Sequence, residues 1–199
     1  MKYKQVVFDF GGVVVDFFPK ELAAKFAQSE EEYEILIELM NHQDWLELDR
    51  GKYSFEEVAR FNYERTGYPE KNTLEFFKFV RKGFVELSVT KNFILDLKKE
   101  GVEVYYLSNI NIETFNYLFD NFPVFKEFKD GICSEKVGAV KPEKAIFSAF
   151  LDKTKLNKED FIFLDDMEKN VNTAQSLGWN SVVYNKYNAK KVIESIFNS

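Results

Sequence analysis

The sequence predicts an α/β fold, a doubly wound parallel sheet with an inserted helical cap, and three observations carry that expectation. Short apolar runs alternate with stretches of helical period through the second half of the chain. Polar and charged residues recur where those runs end, the rim on which an open parallel sheet builds its ligand site. One connection, between the first two runs, is far longer than the roughly 30 residues of a strand–helix–strand unit.

Taken in order, the first strand is read at 5–8, an apolar run interrupted at once by Asp9. Residues 17–85 then read as all helical. Leu22, Ala23 and Phe26, then Tyr33, Leu36, Ile37 and Met40, then Phe55, Val58 and Ala59, then Phe76, Phe77 and Val80 repeat at helical spacing. A turn at Arg50 and Gly51 and a loop at 67–69 divide them into four or five helices. The stripe of Phe93, Ile94 and Leu97 stops at Gly101, and a second strand follows at 102–107. A third strand is expected at 131–133, a helix carrying Ala145, Ile146, Ala149 and Phe150 after Pro142, a fourth strand at 161–164, a helix through Val171, Ala174 and Leu177 closed by Gly178, and a fifth strand at 181–184. Residues 1–16 and 86–199 therefore form the expected core, and 17–85 the expected cap.

Composition narrows the function classes. Hydrophobic residues make up 45% and charged residues 30%, ordinary for a globular chain long enough to bury its own core, and the 22 Phe point to large aromatic blocks inside it. The formal charge of −6, with no basic stripe, argues against a nucleic-acid partner. Cys133 is the single cysteine, which excludes an intramolecular disulfide and a cysteine-rich zinc site and suits a reducing compartment. With no membrane-length apolar run and no signal-peptide pattern, a cytoplasmic protein without a membrane partner is expected; the sequence leaves the oligomeric state open, a monomer included.

Four groups of residues stand where chemistry is expected. Asp9 leaves a buried strand into Phe10, Gly11 and Gly12, a backbone able to turn tightly. Ser108 and Asn109 end the second strand, Lys141 precedes Pro142, and Asp165 and Asp166 end the fourth strand. Each alone has a plain structural explanation, as a helix cap, a loop lysine or an acidic helix start; their order along the chain is what singles them out. His42 reads as a helix-end residue, Cys133 as a small core residue, Phe76, Phe77 and Phe79 as packing, and at least one of Tyr105 and Tyr106 as core.

With these residues in place the chain resembles the haloacid dehalogenase superfamily, whose four motifs it matches in order over nearly its whole length. The matches are Val6-Val7-Phe8-Asp9-Phe10-Gly11-Gly12-Val13, Leu107-Ser108-Asn109, Lys141-Pro142, and Leu164-Asp165-Asp166 with Asn170 following. The insert is similar to that superfamily's first type of helical cap. Within it, the Asp9-Phe10-Gly11 start together with Arg50-Gly51 is most similar to the bacterial alpha-D-glucose-1-phosphate phosphatases.

The resemblance implies a Rossmann-like core of strand order 3-2-1-4-5 and a magnesium-dependent phosphatase acting on a small phosphorylated metabolite, such as a sugar phosphate. Asp9 would be the nucleophile, assisted by Ser108 and Lys141; Asp9, the Gly11 carbonyl and Asp166 would hold Mg2+; Ser108, Asn109, Lys141 and Arg50 would contact the substrate; Asp165 and Asn170 would support the ligands. These residue types suit the chemistry, because a hard cation takes oxygen ligands and a dianionic phosphoryl group needs fixed positive charge beside it.

Position 11 departs from the pattern. Most phosphatases of the superfamily carry a second Asp two positions after the nucleophile as acid and base, and Gly11 has no proton to give. A sugar anomeric oxygen leaves more easily than an ordinary alcohol; Asp16, Asp165 or a water on the metal could stand in, and the sequence does not rank them. Two rival readings follow: a metal-independent 2-haloacid dehalogenase, disfavoured because Asp165 and Asp166 crowd carboxylates beside the nucleophile, and a non-catalytic binder of a phosphorylated ligand. A phosphomutase, which needs the missing acid, is disfavoured further.

Overall fold

The computed structural model describes residues 3–198; residues 1, 2 and 199, which fall inside the expected core boundaries, lie outside it. Strand β1 (Gln5–Phe8) is followed by the short β2 (Val15–Asp16). Five helices come next: α1 (Pro19–Phe26), α2 (Glu30–Asn41), α3 (Gln43–Arg50), α4 (Phe55–Thr66) and α5 (Glu70–Lys82). The chain continues through β3 (Val85–Glu86), α6 (Ser88–Lys99), β4 (Glu103–Ser108), α7 (Ile112–Asn121) and β5 (Asp130–Cys133). It ends with α8 (Lys144–Thr154), β6 (Phe161–Asp165), α9 (Glu168–Ser176), β7 (Asn180–Val183) and α10 (Ala189–Phe197).

The main sheet is parallel throughout, in the order β5-β4-β1-β6-β7, which is the 3-2-1-4-5 arrangement expected. Successive strand residues point to opposite faces, so each central strand feeds two cores. Val6, Phe8, Val104, Tyr106, Ile162 and Leu164 join one face under α6, α7 and α10. Val7, Tyr105, Leu107, Phe161 and Phe163 join the other under α8 and α9. Burial on both faces explains why these strands read as unbroken apolar runs, and why both tyrosines and the Cys133 thiol lie inside.

Helices α1 to α5 pack around a separate apolar cluster built on Leu22, Leu36, Leu39, Leu48, Val58, Phe76 and Val80. Their ends are capped as their sequences dictate: Ser29 caps α2, Ser54 and Glu57 form a reciprocal capping box on α4, and Gly51 and Gly67 close α3 and α4 in the left-handed conformation. His42 sits between α2 and α3 and accepts from the Asp44 amide. Three features were not read from the sequence. Helices α7 and α10 flank the sheet, and the chain crosses between core and cap through an antiparallel ribbon in which Val15 pairs Glu86 and Asp16 pairs Val85. Two-residue strands are too short to carry a period, so in sequence Val85 reads as the end of the helical stretch.

Candidate active site

Parallel register builds the site. Phe8 pairs with Tyr106 on one side and Leu164 on the other, so the residues that follow, Asp9, Ser108 and the Asp165–Asp166 pair, emerge on the same rim. The loop after β1 is pinned by Phe10, which is buried against Phe125 at 4.7 Å and Tyr106 at 5.2 Å between ring centroids. Its carbonyl accepts from Val14 and Val15, closing a tight turn beneath Asp9.

Lys141 arrives from the loop before α8 and is only 2% exposed. Its ammonium lies 2.9 Å from Asp9 Oδ1 and 2.6 Å from Asp165 Oδ2 and donates to the Leu107 carbonyl at 2.8 Å. Burial alone would strip its proton, but Asp165 and Asp9 outweigh burial and hold the ammonium above the ordinary lysine range. Asn109 fixes the lysine's backbone: its Oδ1 accepts from the Lys141 amide at 2.7 Å and its Nδ2 donates to the Lys141 carbonyl at 3.0 Å. The expected substrate contact from Asn109 thus belongs to a side chain that also positions Lys141.

Asp9, Asp165 and Asp166 bring carboxylate oxygens within 4.8 Å of one another. Asp165 is fully buried and occupied, by Lys141, by the Met167 amide at 2.9 Å and by Asn170 Nδ2 at 2.9 and 3.1 Å, so it stands behind the site and has no freedom to serve as the missing acid. Burial pushes the Asp9 carboxyl up to about 6 against the pull of Lys141, with Asp165 adding to the rise. Burial, then the charges of Asp9 and Asp165, push Asp166 up to about 7. Asp166 rests on Gly12, whose φ is +69° and where a Cβ would lie 2.4 Å from Asp166 Oδ2. Such an all-oxygen set fits a hard divalent cation, and Asn170 Oδ1, buried on the same cleft without a partner among the described residues, is an acceptor that a water of a hydrated cation would satisfy.

Gly11, Gly12, Asp16, Ser108, Asn109, Lys141, Asp166, Lys169 and Asn170 line one cleft with Asp9. Asp16, the other expected stand-in acid, is tied to Lys186 at 2.7 Å and accepts from the Phe17 amide. Arg50, expected at the substrate, is not among the residues lining this cleft; its guanidinium grips Glu143 with two bonds of 2.7 and 2.6 Å and reaches Glu47 at 3.2 Å. The Glu143 pair ties the cap to the loop that carries Lys141. Beside it, Asp49 accepts from Asn111 N and Nδ2 at 3.1 and 3.0 Å, its carbonyl accepts from Ser134 at 2.5 Å, and Gly51 presses on Glu135.

Sequence reasoning missed a cavity between cap and core. Its volume is about 160 Å³, it shares Gly11, Phe17, Ser108 and Asn109 with the cleft, and Trp45, Leu48, Phe55, Phe77 and Val80 form its cap wall. Phe77 carried only a packing signal in sequence, because the wall exists only once α3, α4 and α5 meet the core.

A family model described as haloacid dehalogenase-like hydrolase matches residues 3–178. Among curated proteins, the chain is similar to a sesquiterpene phosphatase of Aspergillus oryzae, 23% identical and covering 88% of this chain and 87% of that one. It is similar also to a D-ribitol-5-phosphate phosphatase of Bacteroides thetaiotaomicron, 28% identical over 88% of this chain and 89% of that one. A drimenol cyclase of Aspergillus calidoustus is 28% identical, and the chain spans 32% of its length. Two solved structures share the fold. A B. thetaiotaomicron enzyme of the same family, in complex with magnesium and inorganic phosphate, has a TM-score of 0.71 at 23% identity, covering 91% of this chain and 93% of that one. The L-2-haloacid dehalogenase of Xanthobacter autotrophicus has a TM-score of 0.71 at 15% identity, covering 91% and 77%.

Proposed function

Because the chain belongs to the haloacid dehalogenase-like hydrolases, we propose that it is a magnesium-dependent phosphatase acting on a small phosphomonoester, with Asp9 as the residue that accepts the phosphoryl group. The observation that carries this reading is the convergence of Asp9, Asp166 and the buried Lys141 ammonium on one rim. The two phosphatases it resembles act, by their names, on a sesquiterpene and on a ribitol phosphate; what they have in common is the phosphate, not the alcohol.

Asp9, Asp166 and the Gly11 carbonyl would hold the Mg2+, which when bound would neutralise the phosphoryl oxygens as the carboxylate approaches them. An Asp9 carboxylate oxygen attacks phosphorus, the bond from phosphorus to the alcohol oxygen breaks, and that oxygen takes a proton from water in the cleft. Water then attacks the phosphorus of the aspartyl phosphate, releasing inorganic phosphate and restoring Asp9. Asp9 Oδ1 already accepts from Lys141 Nζ at 2.9 Å and from the Phe10 amide at 2.7 Å, which fixes the carboxylate plane. Lys141 offers a fixed positive charge and Ser108 a hydroxyl donor where charge gathers in the transition state. Arg50 has no direct part in these steps.

The missing acid at Gly11 favours esters whose leaving oxygen needs little protonation. The test is release of inorganic phosphate from an aryl phosphate. Release should require Mg2+, and chelation or Asp9→Asn should abolish it. Asp9-dependent release of halide from a 2-haloacid that survives chelation would instead support the metal-independent dehalogenase.

A further inference from the structure

Resting on the phosphatase reading, we propose that the leaving group is a compact apolar alcohol about the size of one ring, and not a polyol. The cavity that opens from the phosphate cleft carries the inference. Its volume, about 160 Å³, is close to that of a cavity lined by aliphatic and aromatic side chains that stays dry and takes up one benzene, about 150 Å³. Phe17, Trp45, Phe55, Phe77 and Phe84 give it aromatic walls from the cap side. It meets the cleft at Gly11, Ser108 and Asn109, so an ester with its phosphate beside Asp9 would extend its alcohol into it.

The charged residues on the border are already engaged. Asp49 is held by Asn111, while Arg81 pairs with Glu113 at 2.6 Å and lies 5.3 Å from the Phe55 ring. Arg81 Nε is buried without a partner among the described residues, enough for one acceptor atom on the guest. A sugar or alditol would bring several hydroxyls against a wall in which the Phe rings offer no hydrogen bond and the Trp45 indole N–H a single donor, and the hydroxyls left unpaired would lose their water without compensation.

The experiment compares benzyl phosphate with ribitol phosphate on the wild-type protein with Mg2+, two esters whose leaving oxygens are of similar basicity. The expected kcat/KM ratio favours the benzyl ester by about tenfold or more. Val80→Phe, which fills the cavity, should lower kcat/KM for benzyl phosphate about tenfold relative to methyl phosphate on the same variant. Equal or higher kcat/KM for ribitol phosphate overturns the apolar assignment and leaves the phosphatase reading standing. Failure to release phosphate from acetyl phosphate, benzyl phosphate and ribitol phosphate alike overturns both. A Val80→Phe protein too unstable to assay does not affect the wild-type ratio, which decides the matter alone.

Discussion

Two adjacent glycines beside Asp9, the proposed nucleophile, have opposite duties. At Gly11 a Cβ would meet nothing within 4 Å, so the position where the family resemblance implies an acid is open in this chain. Gly11→Asp should restore proton transfer and raise kcat on an alkyl phosphate about 100-fold, the lower range for a positioned acid, with little gain on an aryl phosphate. Steady-state kinetics on the two esters check it; equal changes on both would show that proton transfer does not limit the alkyl ester. Gly12 is constrained twice, by its φ of +69° and by Asp166 lying against it. Gly12→Ala should displace Asp166 and raise the Mg2+ concentration for half-maximal activity about tenfold or more, read by magnesium titration. Asp9, Ser108, Lys141 and Asp166 were legible in the sequence because three of them stand at the ends of parallel strands and Lys141 in the loop that leads into α8. Gly12 was legible only as part of a motif, since the carboxylate it accommodates lies far along the chain.

The elements that join cap to core were the least legible. Arg50 and Glu143 stand 93 positions apart, and no local pattern connects them; of the two carboxylates that Arg50 meets, only Glu47 at 3.2 Å is a sequence neighbour, and Glu143 at 2.6 Å is the closer. The Arg50–Glu143 pair is partly exposed, so Arg50→Ala and Glu143→Ala should show a coupling of about 0.5–1 kcal/mol in a denaturant double-mutant cycle, with similar loss of kcat/KM in each single variant. No coupling, with kcat/KM lost in Arg50→Ala alone, would return the arginine to the substrate. Asp49, in the same joint, is pushed by burial from 3.8 to about 7. The folded state therefore holds its proton more tightly than the unfolded chain, and the contribution is fully present below pH 4 and lost as pH rises through 7. Thermal melts between pH 5 and 8 should show Tm declining, and Asp49→Asn, which removes the ionisation, should make the decline shallower. An identical slope in both proteins would contradict the burial of that carboxyl.

At the scale of the molecule, the parallel strands were legible as apolar runs ending in polar residues, the signature of strands covered on both faces, while their order was legible only through the family resemblance. The helices α7 and α10 escaped notice because Phe115, Leu118, Val192 and Ile196 form stripes too short to stand out, yet they close one face of the sheet. The cap was legible as helices but not as a wall: its aromatic residues acquire a shared surface only against the β1 loop and α7. Parallel pairing on both sides of β1 gives the whole arrangement its purpose, delivering Asp9 to the point where Ser108, Lys141 and Asp166 can act on the same group. The central consequence of the proposed function is a phosphoryl group carried by Asp9. Rapid acid quench of the Mg2+-loaded protein with a phosphate ester in heavy-oxygen water, followed by peptide mass spectrometry, tests it most directly. The account predicts a phosphoryl adduct on the peptide containing Asp9, absent in Asp9→Asn, with the heavy oxygen appearing in released phosphate; an adduct on another residue, or heavy oxygen in the Asp9 carboxylate, would contradict it.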